Sequence, residues 1–369
     1  VIGLSFQTLF ENMTAFTLRQ NRERGLSGIM RAKNEAQFIG ACIDSCIDAL
    51  DELIVVYNDC TDDTPKILER KRLQYPDKLK IYSYNHDVLG FNLSYEDFKL
   101  AISLPEDSPR LFCNQCNFAL SKVSYKYAMI IDPDQIYFTD ELKRWRDICR
   151  AESPIKWNPG FVIGWFLMMY ISAYRRVSLK LDKPCLKMLP LWMVGHLKTY
   201  YQRYAEWRLQ NDKATITVSG INLFWDNEWY VPFDHINRNP PYNGATDHLI
   251  FQVSERTYFY RRYDEKIPNE VMESFHNSNK IMFADTPLWF HQHANRHRNW
   301  HKVKLVKDQY PERFVHLRRF VDMNYKEVLD KMDSKTTTLF QRTSFALVHM
   351  TGIRIVKNYC KLLEKITIC

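Results

Sequence analysis

The sequence has no apolar run long enough to cross a bilayer. The longest, Phe161–Tyr174, would make a helix of about 21 Å, against the roughly 30 Å of a hydrocarbon core. A spanning helix is therefore not expected. Nor is a secretory leader: Val1–Phe10 is apolar, but no basic residues precede it and no small-residue cleavage site follows. A second Cys-x-x-C is also missing. Cys113-Asn-Gln-Cys116 stands alone, and the nine cysteines keep no regular spacing. That argues against a zinc knuckle and for reduced thiols in a cytosolic protein. Internal repeats and low-complexity segments are absent.

What is present is enough apolar material for a substantial core. The chain has 369 residues, 46% hydrophobic and 14% aromatic, so it is not a disordered protein. One large domain or two modest ones would fit. Lys+Arg 51 against Asp+Glu 43 leaves a net charge of +8. This mild excess suits anionic partners such as nucleotides, membrane surfaces or nucleic acid, without choosing among them.

The chain alternates strands and helices from Gly25 onward. Gly28-Ile-Met-Arg reads as a strand emptying into the polar turn Arg31–Glu35. Ala36, Ile39, Ile43, Ile47 and Leu50 then form one helical stripe. Leu53–Tyr57 is a fully buried type of strand and ends in Asn58-Asp-Cys-Thr-Asp-Asp63. Thr64-Pro65 predicts an N-cap and a proline at the first helical position. Leu79–Tyr84 is a third strand, residues 87–110 read as loop, and Cys113–Val123 as helix. Tyr127–Ile131 is a further buried strand, stopped by Pro133 between Asp132 and Asp134. This density predicts a parallel α/β sheet whose acid-bearing turns gather at one edge. Two acids on one short turn suit a hard divalent cation, which in turn holds phosphate oxygens.

After Thr139 the character changes. Residues 140–214 read as helices that are rich in Trp and basic residues and broken by prolines. From Thr215 strands return: Thr215–Ser219 alternates, Asn222–Tyr230 carries Glu228, and 237–246 is a loop before the strand Asp247–Phe251. His291, His293, His297 and His301 cluster before a basic helical tail.

Asn34-Glu35 after the first strand, Asn58-Asp-Cys-Thr-Asp-Asp-Thr64 after the second, Asn117 on a helix and the Asp132-x-Asp134 pair together resemble nucleotide-sugar glycosyltransferases of the GT-A fold, family-2-like. More narrowly, Met30–Glu35 with Tyr57–Asp62 looks like the bacterial β-1,4-N-acetylgalactosaminyltransferases of lipooligosaccharide biosynthesis. Asp247-His-Leu and the segment His291–Arg298 are similar to later segments of that group. Asn58 departs from the Asp usual in the wider family.

The resemblance implies a GT-A (Rossmann-like), mainly parallel sheet flanked by helices, with a helical insertion and a C-terminal helical region. It divides the chain into an arm (1–25), a nucleotide-sugar-binding half (26–139), an aromatic, basic insertion (140–214), an acceptor and catalytic half (215–305) and basic helices (306–369). The implied donor is a UDP-sugar, and the implied acceptor an oligosaccharide or lipid-linked glycan. Arg31, Asn34, Glu35, Asp59, Asn117 and Asp132 would line the nucleotide, with Asp59 accepting from the uracil imide. Asp134 would ligate Mn²⁺ or Mg²⁺, with Asp132 on the ribose or a metal-bound water and His291 completing the shell. The carboxylate that takes the acceptor proton would be Asp247, or else Glu228.

Other readings stay open at this point. Asp59 could cap the following helix, Asp247 could stabilise its loop, and His293 with His297 could hold zinc, although no Glu or Cys completes that site. A sugar nucleotidyltransferase would need a glycine-rich first turn, which Arg31–Glu35 is not. A non-enzymatic module binding nucleic acid or membrane would leave the polar strand ends without a purpose. The apolar run 161–174 and the tail with Arg342, Arg354, Lys357, Lys361 and Lys365 suggest a peripheral seat on the inner face of the cytoplasmic membrane. Nucleic acid is not expected as a partner.

Overall fold

Leu53, Ile54, Val55 and Val56 are all fully buried, as a strand covered on both faces requires. The computed structural model describes residues 18, 21–181, 191–234, 236, 240–277, 279–332 and 339–363. Most of the expected arm over 1–25 lies outside them, and its end is corrected, because Glu23–Gly25 already belong to the first strand.

In chain order the chain forms β1 (Glu23–Ala32), α1 (Ile39–Cys46), β2 (Glu52–Tyr57), α2 (Thr64–Gln74), β3 (Leu79–Ser83), α3 (Tyr95–Ser103), α4 (Phe112–Ser121), β4 (Tyr125–Ile131) and β5 (Gln135–Tyr137). Three helices follow, α5 (Thr139–Arg150), α6 (Gly160–Leu181) and α7 (Leu191–Gln210). Next come β6 (Ala214–Asn222), β7 (Phe224–Asp226), β8 (Glu228–Pro232), β9 (Tyr242–Gln252), β10 (Tyr258–Tyr263), β11 (Val271–His276) and β12 (Lys280–His291). The tail holds α8 (His297–Gln309), β13 (Phe314–His316), α9 (Leu317–Phe320), α10 (Tyr325–Lys331) and α11 (Leu339–Leu363). Two compact units result: Val1–Pro133 with Gln252–Ser278, and Asp134–Phe251 with Asn279–Cys369.

The first unit carries the strand order β3-β2-β1-β4, every pair parallel. Gly28 sits between Leu53 of β2 and Met129 of β4, so β1, like β2, is an inner strand. Parallel neighbours send their carboxyl ends to one edge, which gathers the turns after β1, β2 and β4. The α/β class and its parallel sheet are as expected.

The second unit carries the order β9-β6-β12-β5. Here β12 runs parallel to β6, while β9 opposes β6 and β5 opposes β12. An aromatic core pins β5 and β12: Phe138 meets Phe290 at 4.8 Å and stacks on Tyr359 of α11 at 4.6 Å. Gly220 lies under the ring of Trp289, where a Cβ would come within 2.0 Å of the indole Nε1. Trp289 in turn donates to Asn243 Oδ1 at 2.9 Å.

Four local expectations are corrected. The loop expected over 87–110 contains α3, capped by Ser94 accepting from the Asp97 amide, with Phe98 and Ala101 buried. Thr64 is the first residue of α2 and not its N-cap, which is Asp63. The loop expected over 237–246 ends early, because β9 already pairs with β6 at Tyr242. β6 does not alternate in burial: Thr215, Thr217 and Ser219 are as buried as Ile216, so both faces of this strand are covered. The strands expected over Asn222–Tyr230 are present: Asn222 ends β6, and β7 and β8 form a hairpin that turns at Asn227 with φ 60°.

Candidate functional site

The first unit ties its three strand-end turns together. Asn34 (φ 58°) and Asp59 (φ 42°) adopt left-handed backbone, which short amide and carboxylate side chains tolerate. Asn34 Oδ1 accepts from the Thr61 amide at 2.8 Å, and Thr64 Oγ1 accepts from the Glu35 amide at 2.7 Å. Asp62 accepts from the Ala36 and Thr64 amides at 3.0 and 2.9 Å. Burial works to raise the Asp62 carboxyl, but hydrogen bonds from Thr64 and Ala36 outweigh it and hold it below its ordinary value. Asp62 thus does the local capping, which leaves Asp59 half-exposed beside Lys33 at 3.7 Å.

Arg31 joins the third turn to the others. Its guanidinium lies 2.6 Å from Glu273 of β11, 3.9 Å from Asp132 and 4.5 Å above the Phe112 ring. Burial alone would disfavour this charge. The groups around it, the Cys116 thiol at 3.1 Å and the carboxylates of Glu273 and Asp132, outweigh that and hold it charged. Asn117 has a different task from the one expected. It is buried, and its amide both donates to and accepts from the Phe259 backbone of β10, at 2.9 and 2.8 Å. Asn58 is also buried and accepts from Gln115 at 2.9 Å.

The second unit opens with Asp134, whose side chain is only 3% exposed. Its carboxylate lies 3.4 Å from His291 Nε2, 3.5 Å from His293 Nδ1 and 2.9 Å from Arg296 Nε. Its own carbonyl accepts from the Gln292 amide at 2.8 Å, so backbone and side chain fix it together. Burial would raise this carboxyl, but His291 and Arg296 hold it well below the ordinary carboxylate value.

The orientation of His291 is set from behind. Asn222 donates to the Pro240 carbonyl at 2.5 Å, so its Oδ1 faces His291 Nδ1, 2.6 Å away. In a neutral imidazole this contact would place the proton on Nδ1 and leave a lone pair on Nε2, towards Asp134. Two acceptors facing each other require positive charge between them, either a proton on Nε2 or a cation. One ligand atom from each of Asp134, His291 and His293 lies within 4.8 Å of the others. One carboxylate with two imidazoles, one of them oriented by an amide behind it, suits a divalent ion.

The sequence-predicted residues are thus divided between the units. Arg31, Asn34, Glu35, Asp59 and Asp132 lie at the carboxyl edge of the first sheet. Asp134 and His291 meet in the second unit, and the acids expected to act as one pair have separate partners. Glu228 is itself exposed at the turn of the β7–β8 hairpin, with its carboxylate against the His316 imidazole. Asp247 lies on β9, its side chain outside the described residues. Sequence reasoning missed Glu273, which nothing in its local pattern marks. It weighed His293 only in a disfavoured site with His297, whereas His293 faces Asp134; the strand end at His291 was the available signal.

Residues 25–104 match the family model described as Beta-1,4-N-acetylgalactosaminyltransferase (CgtA). The resemblance read from the sequence is borne out over that segment. No curated protein matches the chain. Among solved structures, S. aureus TarS 1-349 in complex with UDP-GlcNAc is similar at 21% identity over 34% of this chain and 30% of that one, with a TM-score of 0.24. Glucosyl-3-phosphoglycerate synthase from Mycobacterium tuberculosis, in complex with Mn²⁺, UDP and glucosyl-3-phosphoglycerate, is similar at 19% identity over 50% of this chain and 60% of that one, with a TM-score of 0.23. The chain thus spans about a third of the TarS structure's length.

Proposed function

We propose that this chain is a metal-dependent, inverting glycosyltransferase that moves a hexose or N-acetylhexosamine from a UDP-sugar to a glycan acceptor. One observation carries the reading. The interlaced turns bearing Asn34 and Asp59 belong to the segment that matches an N-acetylgalactosaminyltransferase family. In this reading Asp59 accepts from the uracil imide, and Asn34 and Glu35 border the base and ribose. Asp132, oriented by Arg31, takes the ribose hydroxyls. Asn117 acts indirectly, by holding β10 in place.

Asp134, His291 and His293 would hold Mn²⁺ or Mg²⁺, which supplies positive charge for the departing diphosphate. Arg296 then exchanges its carboxylate partner for phosphate oxygen. Asp247 takes the acceptor hydroxyl proton, with Glu228 as the alternative. The acceptor is an oligosaccharide or lipid-linked glycan of the cell surface, elongated at the inner face of the cytoplasmic membrane. A Mn²⁺-dependent thermal shift with UDP, run beside a single-stranded oligonucleotide, tests the reading. Stabilisation by UDP with Mn²⁺ is expected. Stabilisation by the oligonucleotide alone would overturn it.

A further inference from the structure

Helix α6 has two apolar faces, and α7 closes only one. On the inner face Gly160 and Gly164 are one turn apart. A Cβ on Gly164 would meet Tyr204 Cβ at 2.5 Å and the Tyr200 carbonyl at 2.8 Å. Phe161 completes that face against Tyr204 and Trp207, at ring distances of 6.1 and 5.5 Å. The other face carries Val162, Ile163, Trp165, Phe166 and Met169, at helical spacing of three and four. All five are exposed, Phe166 by 59%. Trp157 stands just before the helix, 61% exposed. An apolar surface of this kind marks an interaction site.

Charge decides which partner fits. Between Ser153 and Ala205 eight Lys and Arg stand against one acid, Asp182. That segment accounts for most of the chain's excess of +8. A second copy of the chain seated on this face would bring two such basic segments together. Nucleic acid would need cations on the face itself, and its five residues have none. No described helix is long and apolar enough to cross a membrane. Apolar and aromatic side chains flanked by basic sequence, on a helix that does not span, suit the interface of an anionic bilayer.

We propose that the outward face of α6 seats the protein on an anionic membrane surface, with Trp165 and Phe166 entering the acyl boundary. This is independent of the transfer reaction, and its test does not use activity. Vesicles of phosphatidylcholine, with and without phosphatidylglycerol, are sedimented with the protein. Partitioning should rise by about tenfold or more with the anionic lipid and weaken with salt. The double variant Trp165→Glu, Phe166→Glu should return to the supernatant with its far-UV circular dichroism unchanged. In the wild type, lipids brominated along the acyl chain should quench tryptophan fluorescence, which keeps the test open if the double variant fails to fold. Recovery of wild-type protein wholly in the supernatant with anionic vesicles would overturn the proposal. So would equal binding by the folded double variant, or a dimer that this variant dissociates with no vesicle binding by the wild type.

Discussion

Arg296→Met separates a cation site from a plain ion pair. In the structure the Asp134 carboxylate is shared between Arg296 Nε at 2.9 Å and two imidazoles. Removing Arg296 leaves a buried carboxylate without its guanidinium partner. Breaking a buried pair in this way costs about 3–5 kcal/mol. A divalent ion beside Asp134 would feel Arg296 as a repulsive neighbour. Two unit charges about 4 Å apart interact by about 4 kcal/mol at an effective dielectric constant of about 20. Even half of that, about 2 kcal/mol, is roughly thirtyfold in affinity. The wild type should therefore respond weakly to Mn²⁺ alone and strongly to Mn²⁺ with UDP, whose phosphates take over Arg296. The variant should melt lower without metal and recover much of the loss with Mn²⁺ alone. Thermal melts of both proteins, with EDTA, Mn²⁺ and Mn²⁺ plus UDP, check this. A destabilised variant that Mn²⁺ does not restore would refute the reasoning and leave Asp134 as a structural ion pair.

Further outcomes concern the frame around the site. Gly220→Ala drives a methyl into the Trp289 ring and should destabilise the second unit by about 1–3 kcal/mol or more, measured by urea unfolding. His349 is buried between the Tyr242 hydroxyl and the Met323 carbonyl, each 2.7 Å away, and burial pulls its pKa below the ordinary 6.5. The unfolded chain therefore takes up the proton first as pH falls, so this stabilisation is complete above pH 6.5 and lost below it. The urea midpoint should drop between neutral and mildly acidic pH, and His349→Gln, which keeps both hydrogen bonds without titrating, should flatten that slope.

Much of the first unit was legible because its strands are short apolar runs that need no long-range information. Leu53–Val56 and Tyr127–Ile131 read as buried strands and are so. Their parallel order then carries Asn34, Asp59 and Asp132 to one edge. The second unit was less legible. Thr215, Thr217 and Ser219 alternate with apolar residues, yet all are buried, because both faces of β6 are covered, which no local pattern shows. Asp134 met His293 and Arg296 only through the pairing of β5 with β12, a contact between residues far apart in sequence. Glu273 reached Arg31 across a still longer separation. Asn117 carried the residue type expected of a ligand-binding amide, but pairing with the β10 backbone is equally good chemistry for a buried amide.

The release of free UDP from a panel of UDP-sugars, with Mn²⁺ and with EDTA, tests the central claim most directly. Turnover of at least one donor with Mn²⁺ is predicted, abolished by EDTA and by Asp134→Ala. Asp247→Asn should retain UDP binding while losing turnover, unless Glu228→Gln is the variant that loses it. Absence of UDP release from every donor in the presence of Mn²⁺ and acceptor glycans, or release undiminished in Asp134→Ala, would contradict the account.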